Sequence, residues 1–247
     1  MTQRIALVTG GMGGIGTAVV KRLAGAGHKV VANCLPGYAQ KQTWLATMHR
    51  EGFTEVYAAE GDVSSYAAMQ AMVADIEARV GAVDILVNNA GITRDSTFRK
   101  MDPATWDAVL DSNLKSIYNV THQVIGGMTD RGWGRVVSMS SVNGIRGQFG
   151  QTNYSAAKAG ILGFSKALAQ EVVRKGVTVN CVSPGYVETD MVRAIRPDVL
   201  QKIVDGIPIG RLAKPDEIAA LIGFLSSEDA AYITGTNISI NGGMHMY

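Results

Sequence analysis

With 247 residues, 47% hydrophobic and 18% charged, the chain has the composition of a globular protein whose core is large enough to need no staple. Its 23 basic and 21 acidic side chains leave a formal charge of +2 with no long basic run, which argues against a nucleic-acid partner. Two distant cysteines, Cys34 and Cys181, exclude a disulfide framework, and four scattered histidines show no zinc-like spacing, so no metal site is expected.

The first strand, "RIALVTG" at 4–10, breaks into glycines too soon for a signal-peptide core, and a helix follows at 14–26. Strands then alternate with helices: strand 29–34 and helix 40–51, strand 55–61 and helix 65–80, strand 84–91 and helix 103–126, strand 135–141 and helix 152–174. A sixth strand, 177–185, leads into residues 186–212, which fit neither period; a helix at 215–227 and a strand at 237–242 close the pattern. Most of these strands are continuously apolar, as in a parallel sheet covered on both faces. Their alternation with helices predicts a Rossmann-like, doubly wound α/β fold: a seven-stranded parallel sheet with helices on both faces and right-handed crossovers. No linker or repeat interrupts residues 1–247, which read as a single domain with 186–212 as a lid or binding segment. No apolar stretch reaches the ~20 residues needed to cross a bilayer, so a soluble, cytoplasmic protein without a membrane partner is expected.

"VTGGMGGIG", Val8 to Gly16, joins the first strand to the first helix. Glycines there let backbone amides approach a phosphate, and the helix N-terminus adds partial positive charge. Thr17 follows Gly16 where a phosphate-binding Walker loop would carry lysine. The spacing is T-G-x-x-x-G-x-G through Thr9, Gly10, Gly14 and Gly16, and its place at the first strand–helix junction points to a dinucleotide site.

"QTNYSAAKAG", Gln151 to Gly160, sets a phenol and an ammonium four places apart among small side chains. Residues i and i+4 are neighbours on a helix. A cation within ~4–6 Å favours phenolate and lowers a phenol's pKa from about 10 by one to three units. Tyr154 and Lys158 are therefore a candidate proton-transfer pair.

The glycine turn, "NNAG" after the fourth strand, a serine thirteen places before Y-x-x-x-K and "PG" after the sixth strand together resemble the short-chain dehydrogenase/reductase family, over essentially the whole chain. The resemblance implies that Tyr154 protonates a carbonyl oxygen, Lys158 lowers the phenol's pKa and binds the nicotinamide ribose, and Ser141 holds the substrate carbonyl. It implies that Asn113 orders a water relaying protons to Lys158. By the same likeness Gly10, Gly13, Gly14, Ile15 and Gly16 hold the cofactor's phosphates. Gly61, Asp62 and Val63 meet the adenine. Asn89, Ala90, Gly91, Ile92 and Thr93 pass along the cofactor's middle, and Pro184, Gly185, Tyr186, Val187 and Thr189 reach the nicotinamide.

The tail of the second strand, "VVANCLPGYAQKQ", carries no acid at Asn33, Cys34 or Leu35 to repel the 2′-phosphate of NADP, and only Lys41 stands near to attract it. Lysine is a point charge without arginine's bidentate fork, so NADPH and NADH are both expected to serve. Within the family, "NNAGITRD", "FRKM", "GQFGQTNYS" and "RAIRPDVL" resemble reductases of acetoacetyl-CoA in polyhydroxybutyrate synthesis and imply an acyl-CoA thioester substrate. Gln148, Phe149, Gly150 and Gln151 would flank the acetoacetyl group with Tyr186 closing over it, and Asp95, Lys100 and Arg196 would meet the CoA end. The alternatives are a 3-oxoacyl-acyl-carrier-protein reductase, with Arg131, Arg135 and Lys175 as a docking patch, and a non-catalytic nucleotide sensor on the same fold. A homotetramer is implied, paired through the 103–126 and 152–174 helices.

Overall fold

The computed structural model describes residues 2–246. Its first half contains β1 (Ile5–Val8), α1 (Gly14–Gly25), β2 (Lys29–Cys34), α2 (Lys41–Arg50), β3 (Val56–Glu60), α3 (Tyr66–Arg79) and β4 (Ile85–Asn88). Next come α4 (Pro103–Leu110), α5 (Ser116–Asp130), β5 (Gly134–Met139), α6 (Val142–Arg146) and α7 (Thr152–Val172). The chain closes with β6 (Val177–Pro184), α8 (Asp190–Arg193), α9 (Pro197–Asp205), α10 (Pro215–Leu225) and β7 (Asn237–Ile240).

All seven strands are parallel, in the order β3-β2-β1-β4-β5-β6-β7. Alternate side chains of each strand feed opposite layers. Ala6 and Val8 of β1 join a core with Val19, Val20 and Leu23 of α1 and Ile218, Ile222 and Leu225 of α10. Leu7, between them, packs with Met69, Met72 and Ile76 of α3 and Val120 and Val124 of α5 on the other face. This explains why the strands read as unbroken apolar runs: both faces are covered. Local signals start the helices. Ser65 accepts the Ala68 amide at the head of α3, and Asp102 accepts that of Thr105 before Pro103 opens α4. Strand order reverses between β1 and β4, so the crevice beyond their C-terminal ends is the switch point where such sheets bind ligands.

Two expectations are corrected. The helix expected at 103–126 is two helices joined by a turn of π-helix, Asp111–Lys115, and it runs on to Asp130. Asn113 causes this locally: its side-chain amide donates to the Val109 carbonyl at 2.9 Å and intrudes into the helical ladder. Residues 186–212, which fit no period, contain α8 and the amphipathic α9, none of whose residues is fully buried. Among the described residues, no helix is long and apolar enough to cross a membrane.

Candidate active site

The first turn is built for close approach. Gly10 has φ +60°, and a Cβ on Gly16 would lie 2.2 Å from the Gly10 carbonyl, so a side chain at either position would break the turn. Gly13 and Gly14 are exposed, and α1 begins after Gly13, its N-cap, with no side-chain cap and no acid in its first turn. Its first amides are therefore open to an anion, and the residues present fit a dinucleotide's phosphates. A Cβ on Gly14 would lie 3.0 Å from Thr189 Cγ2, so Thr189 stands directly against this cradle. Ile15 is half-buried beside the core.

Three polar side chains brace the crevice: Thr9 and Asn89, which the sequence motifs contain, and Asn33, to which no sequence motif assigns a role. Asn33 accepts the Gly10 amide at 3.3 Å and donates to the Gly61 carbonyl at 2.9 Å, tying the ends of β1, β2 and β3 together. The Thr9 hydroxyl accepts the amides of Asn89 and Ala90. Asn89 in turn donates to the carbonyls of Thr9 and Gly10, so its side chain braces the turn. Asn33 stands where an acid was sought; a buried polar side chain at a strand tail was the available signal. Asp62 accepts from the Ser64 amide and hydroxyl, and the carbonyl of buried Val63 accepts from Asn119. Lys41, expected to meet a 2′-phosphate, is ion-paired with Glu60, a partner 19 positions away.

At the other end of the crevice four side chains converge. Lys158 is buried, donates to the Met139 carbonyl at 2.7 Å, and lies over the Tyr154 ring, 5.5 Å from its centroid. Asn113 is fully buried and donates to the carbonyls of Ile92 and Val109, while its Oδ1 has no partner. A Cβ added at Gly91 would lie 2.4 Å from that oxygen and 3.6 Å from Lys158 Nζ, so amide and ammonium border one small space beside exposed Gly91 and Thr93. An orphan buried acceptor facing an ammonium suits an ordered water. Ser141 faces the phenol, and its hydroxyl accepts the Asn143 amide at 3.1 Å. Neighbouring Ser140 instead donates to the Lys158 carbonyl.

The electrostatics correct one expectation. Desolvation pushes the Tyr154 phenol above its ordinary value; Ser141 opposes this and the Asp95 charge adds to it. Lys158, expected as the depressing cation, is itself perturbed by burial. Burial lowers its own pKa to about 8, with the Cys181 thiol opposing, and its ammonium is turned to Met139.

The mouth of the site is a polar chain with apolar lips. Asn143 donates to Gln151, and Gln151 donates to Asp95 at 2.9 Å. Asn143 was not singled out in the sequence, although it lies two residues past Ser141. Gln148 accepts weakly from Arg146 at 3.4 Å, Gly150 has φ +78° with its carbonyl bonded to Ser96, and Phe149 is 86% exposed. Tyr186 is half-buried, Val187 bridges to Ala213, and Gly185 bonds back to β7 beside Pro184. Lys100 is exposed, and Arg196 is exposed beside Asp198. Of the docking patch imagined for a carrier protein, Arg135 is withdrawn from the surface, while Arg131 and Lys175 are exposed. Arg135 is 2% exposed, stacks on Trp133 and bonds Ser227, and Arg131 is held by Val83 and Asp84.

A dinucleotide cradle at a switch point, with serine, tyrosine and lysine at its far end, defines a nicotinamide-dependent oxidoreductase site. Residues 4–200 match the family described as short chain dehydrogenase, and the chain belongs to that family of NAD(P)H-dependent oxidoreductases. An acetoacetyl-CoA reductase from Cupriavidus necator is 59% identical over 246 residues, covering 100% of both chains. Nodulation protein G from Azospirillum brasilense is 58% identical over 245 residues, 99% of each chain. An acetoacetyl-CoA reductase from Allochromatium vinosum is 56% identical over 245 residues, again 99% of each.

Proposed function

We propose that the protein reduces acetoacetyl-CoA to the 3-hydroxyacyl thioester with NAD(P)H, in the cytoplasm, for polyhydroxybutyrate synthesis. The observation that carries this reading is the convergence of Tyr154, Ser141, Lys158 and the orphan Oδ1 of Asn113 at one end of a dinucleotide crevice. Gly10, Gly13, Gly14, Ile15 and Gly16 hold the phosphates and Thr189 covers them. When bound, the dihydronicotinamide supplies hydride to the substrate's C3. Ser141 holds the carbonyl oxygen, and Tyr154 gives that oxygen its hydroxyl proton. Raised by burial, the phenol stays protonated at neutral pH and is ready to donate. Lys158 and Asn113 flank the space through which a water returns a proton to the tyrosine. Asp95, Gln151 and Asn143 fix the polar wall against which the acetoacetyl group lies.

Steady-state kinetics with acetoacetyl-CoA and with acetoacetyl-carrier protein test the substrate. The CoA thioester is expected to have the higher kcat/KM, and a reversed order assigns the enzyme to carrier-bound substrates.

Arg196 is the proposed phosphate contact at the CoA end. Its Asp198 partner is exposed, so a phosphate can take its place at little cost. Arg196→Ala should raise KM for acetoacetyl-CoA about tenfold with kcat nearly unchanged, as for a contact made equally in ground and transition states. A small acetoacetyl ester should not notice the change; equal damage to both substrates would make Arg196 a support of the covering segment.

The outer faces of α5 and α7 support a homotetramer. Tyr118 is 49% exposed on α5, and the exposed Ala156, Ala159, Gly163 and Ala167 give α7 a stripe of small side chains. Paired two-fold contacts close as a D₂ tetramer. Light scattering is expected to give four times the 26.2 kDa chain mass, and a monomer at micromolar concentration would reject the assembly.

A further inference from the structure

We infer that Glu60, at the end of β3, sets the choice between NADPH and NADH, holding Lys41 away from a 2′-phosphate and presenting the carboxylate that the β2 tail lacks. The inference rests on the dinucleotide reading of the glycine turn and extends it to one residue of this chain.

The sheet places Glu60 there. In the β2–β3 register Glu60 lies opposite Cys34, the last residue of β2. The next residue, Gly61, donates its amide to the Cys34 carbonyl and accepts from Asn33, which also holds the Gly10 amide. Glu60 is therefore pinned to the same three strand ends that carry the phosphate cradle, at the side where the adenosine ribose lies in such folds. Its two carboxylate oxygens have different partners. Oε2 accepts the Gly37 amide at 3.1 Å, and Oε1 takes the Lys41 ammonium. Gly37 has φ +70°, a left-handed turn that aims this amide back at the strand end. The Lys41 hydrogen bond, then the Gly37 amide, hold the Glu60 carboxyl below its usual range, so it is ionised at every working pH.

The two cofactors meet this pair differently. A ribose 2′-hydroxyl is a donor, and a carboxylate accepts it without losing Lys41. A 2′-phosphate must draw Lys41 from Glu60 and then sit beside a retained negative charge. Sequence reading found no acid at positions 33–35 and one cation at Lys41; the fold adds the acid from the neighbouring strand and neutralises the cation.

The test is calorimetric binding of adenosine 2′,5′-bisphosphate and of 5′-AMP to the wild type, Glu60→Gln and Lys41→Ala. Glu60→Gln keeps the side chain's size and an acceptor for Gly37 while removing the charge. It should raise the affinity ratio of bisphosphate to AMP by about three- to tenfold, the scale of a partly exposed charge contact. Lys41→Ala should lower the ratio by a similar factor. The NADPH-to-NADH ratio of kcat/KM should move in the same directions. If Glu60→Gln binds both nucleotides with an unchanged ratio, Glu60 is not the selector and the inference is overturned. If the wild type binds neither, the dinucleotide reading itself fails, and the selector with it.

Discussion

Tyr154→Phe is expected to lower the turnover of acetoacetyl-CoA by ~10²–10⁴-fold, the usual worth of a positioned general acid. Folding and cofactor affinity should stay near wild type. The change deletes one oxygen and keeps the ring, so the packing that places Lys158 over its face is retained. No second donor takes its place. Ser140 is committed to the Lys158 carbonyl, and Lys158 to that of Met139. Ser141 stays to hold the substrate oxygen, yet a serine hydroxyl without a base beside it gives up its proton poorly. The phenol's raised pKa bears on the direction of the chemistry. Burial favours the neutral phenol, and the Asp95 charge adds to it, so the group enters the reaction protonated. Stopped-flow measurement of NAD(P)H oxidation, with folding checked by circular dichroism, decides the matter. A loss below tenfold would remove Tyr154 from the role of proton donor.

How much of this was written in the sequence depended on the range of the interaction. The strands and most helices were legible because each is a local run: β2 was read to its observed ends, and α1 begins at Gly14 as expected. The glycine turn was legible for the same reason, since its constraints act within seven residues. The π-turn was hidden, because one widened turn shifts the helical period too little to show in the pattern of 103–126. What widens it is a side chain, Asn113, bonding to Val109 and to Ile92, 21 residues away. Asn33 and Glu60 were passed over for a related reason: their partners lie 19 to 28 positions off, brought together only by strand pairing. The phenol's shift was read with the wrong sign because a helical i,i+4 pair fixes distance and leaves burial unstated. Desolvation outweighs the opposing Ser141 hydrogen bond at Tyr154, and it lowers Lys158 as well.

The same burial makes Lys158 costly to the fold. Lys158→Met should therefore separate stability from function, with a pH dependence of determined sign. In the folded chain the ammonium titrates at about 8, against about 10.4 when unfolded. Below pH 8 both states carry the proton, and the fold bears the full cost of the buried charge. Between pH 8 and about 10.4 the folded state sheds its proton first, so unfolding takes up protons and wild-type stability rises with pH. The span corresponds to a gain on the order of 3 kcal/mol. Methionine fills a similar volume and carries no charge, so the variant lacks this gain. It also leaves the Met139 carbonyl without the Lys158 donor, a penalty of about 1–3 kcal/mol at every pH. The two terms offset each other near pH 7, where the variant should match or exceed the wild type. Toward pH 10 the neutral amine still bonds Met139, and the wild type should become the more stable by about the lost hydrogen bond. Turnover should be low throughout, because no ammonium remains beside the Asn113 oxygen. Urea denaturation of both proteins at intervals from pH 7 to 10 reads the difference directly. A stability difference that stays constant across that range would show that Lys158 is not strained by burial, and its depressed pKa would have to be abandoned.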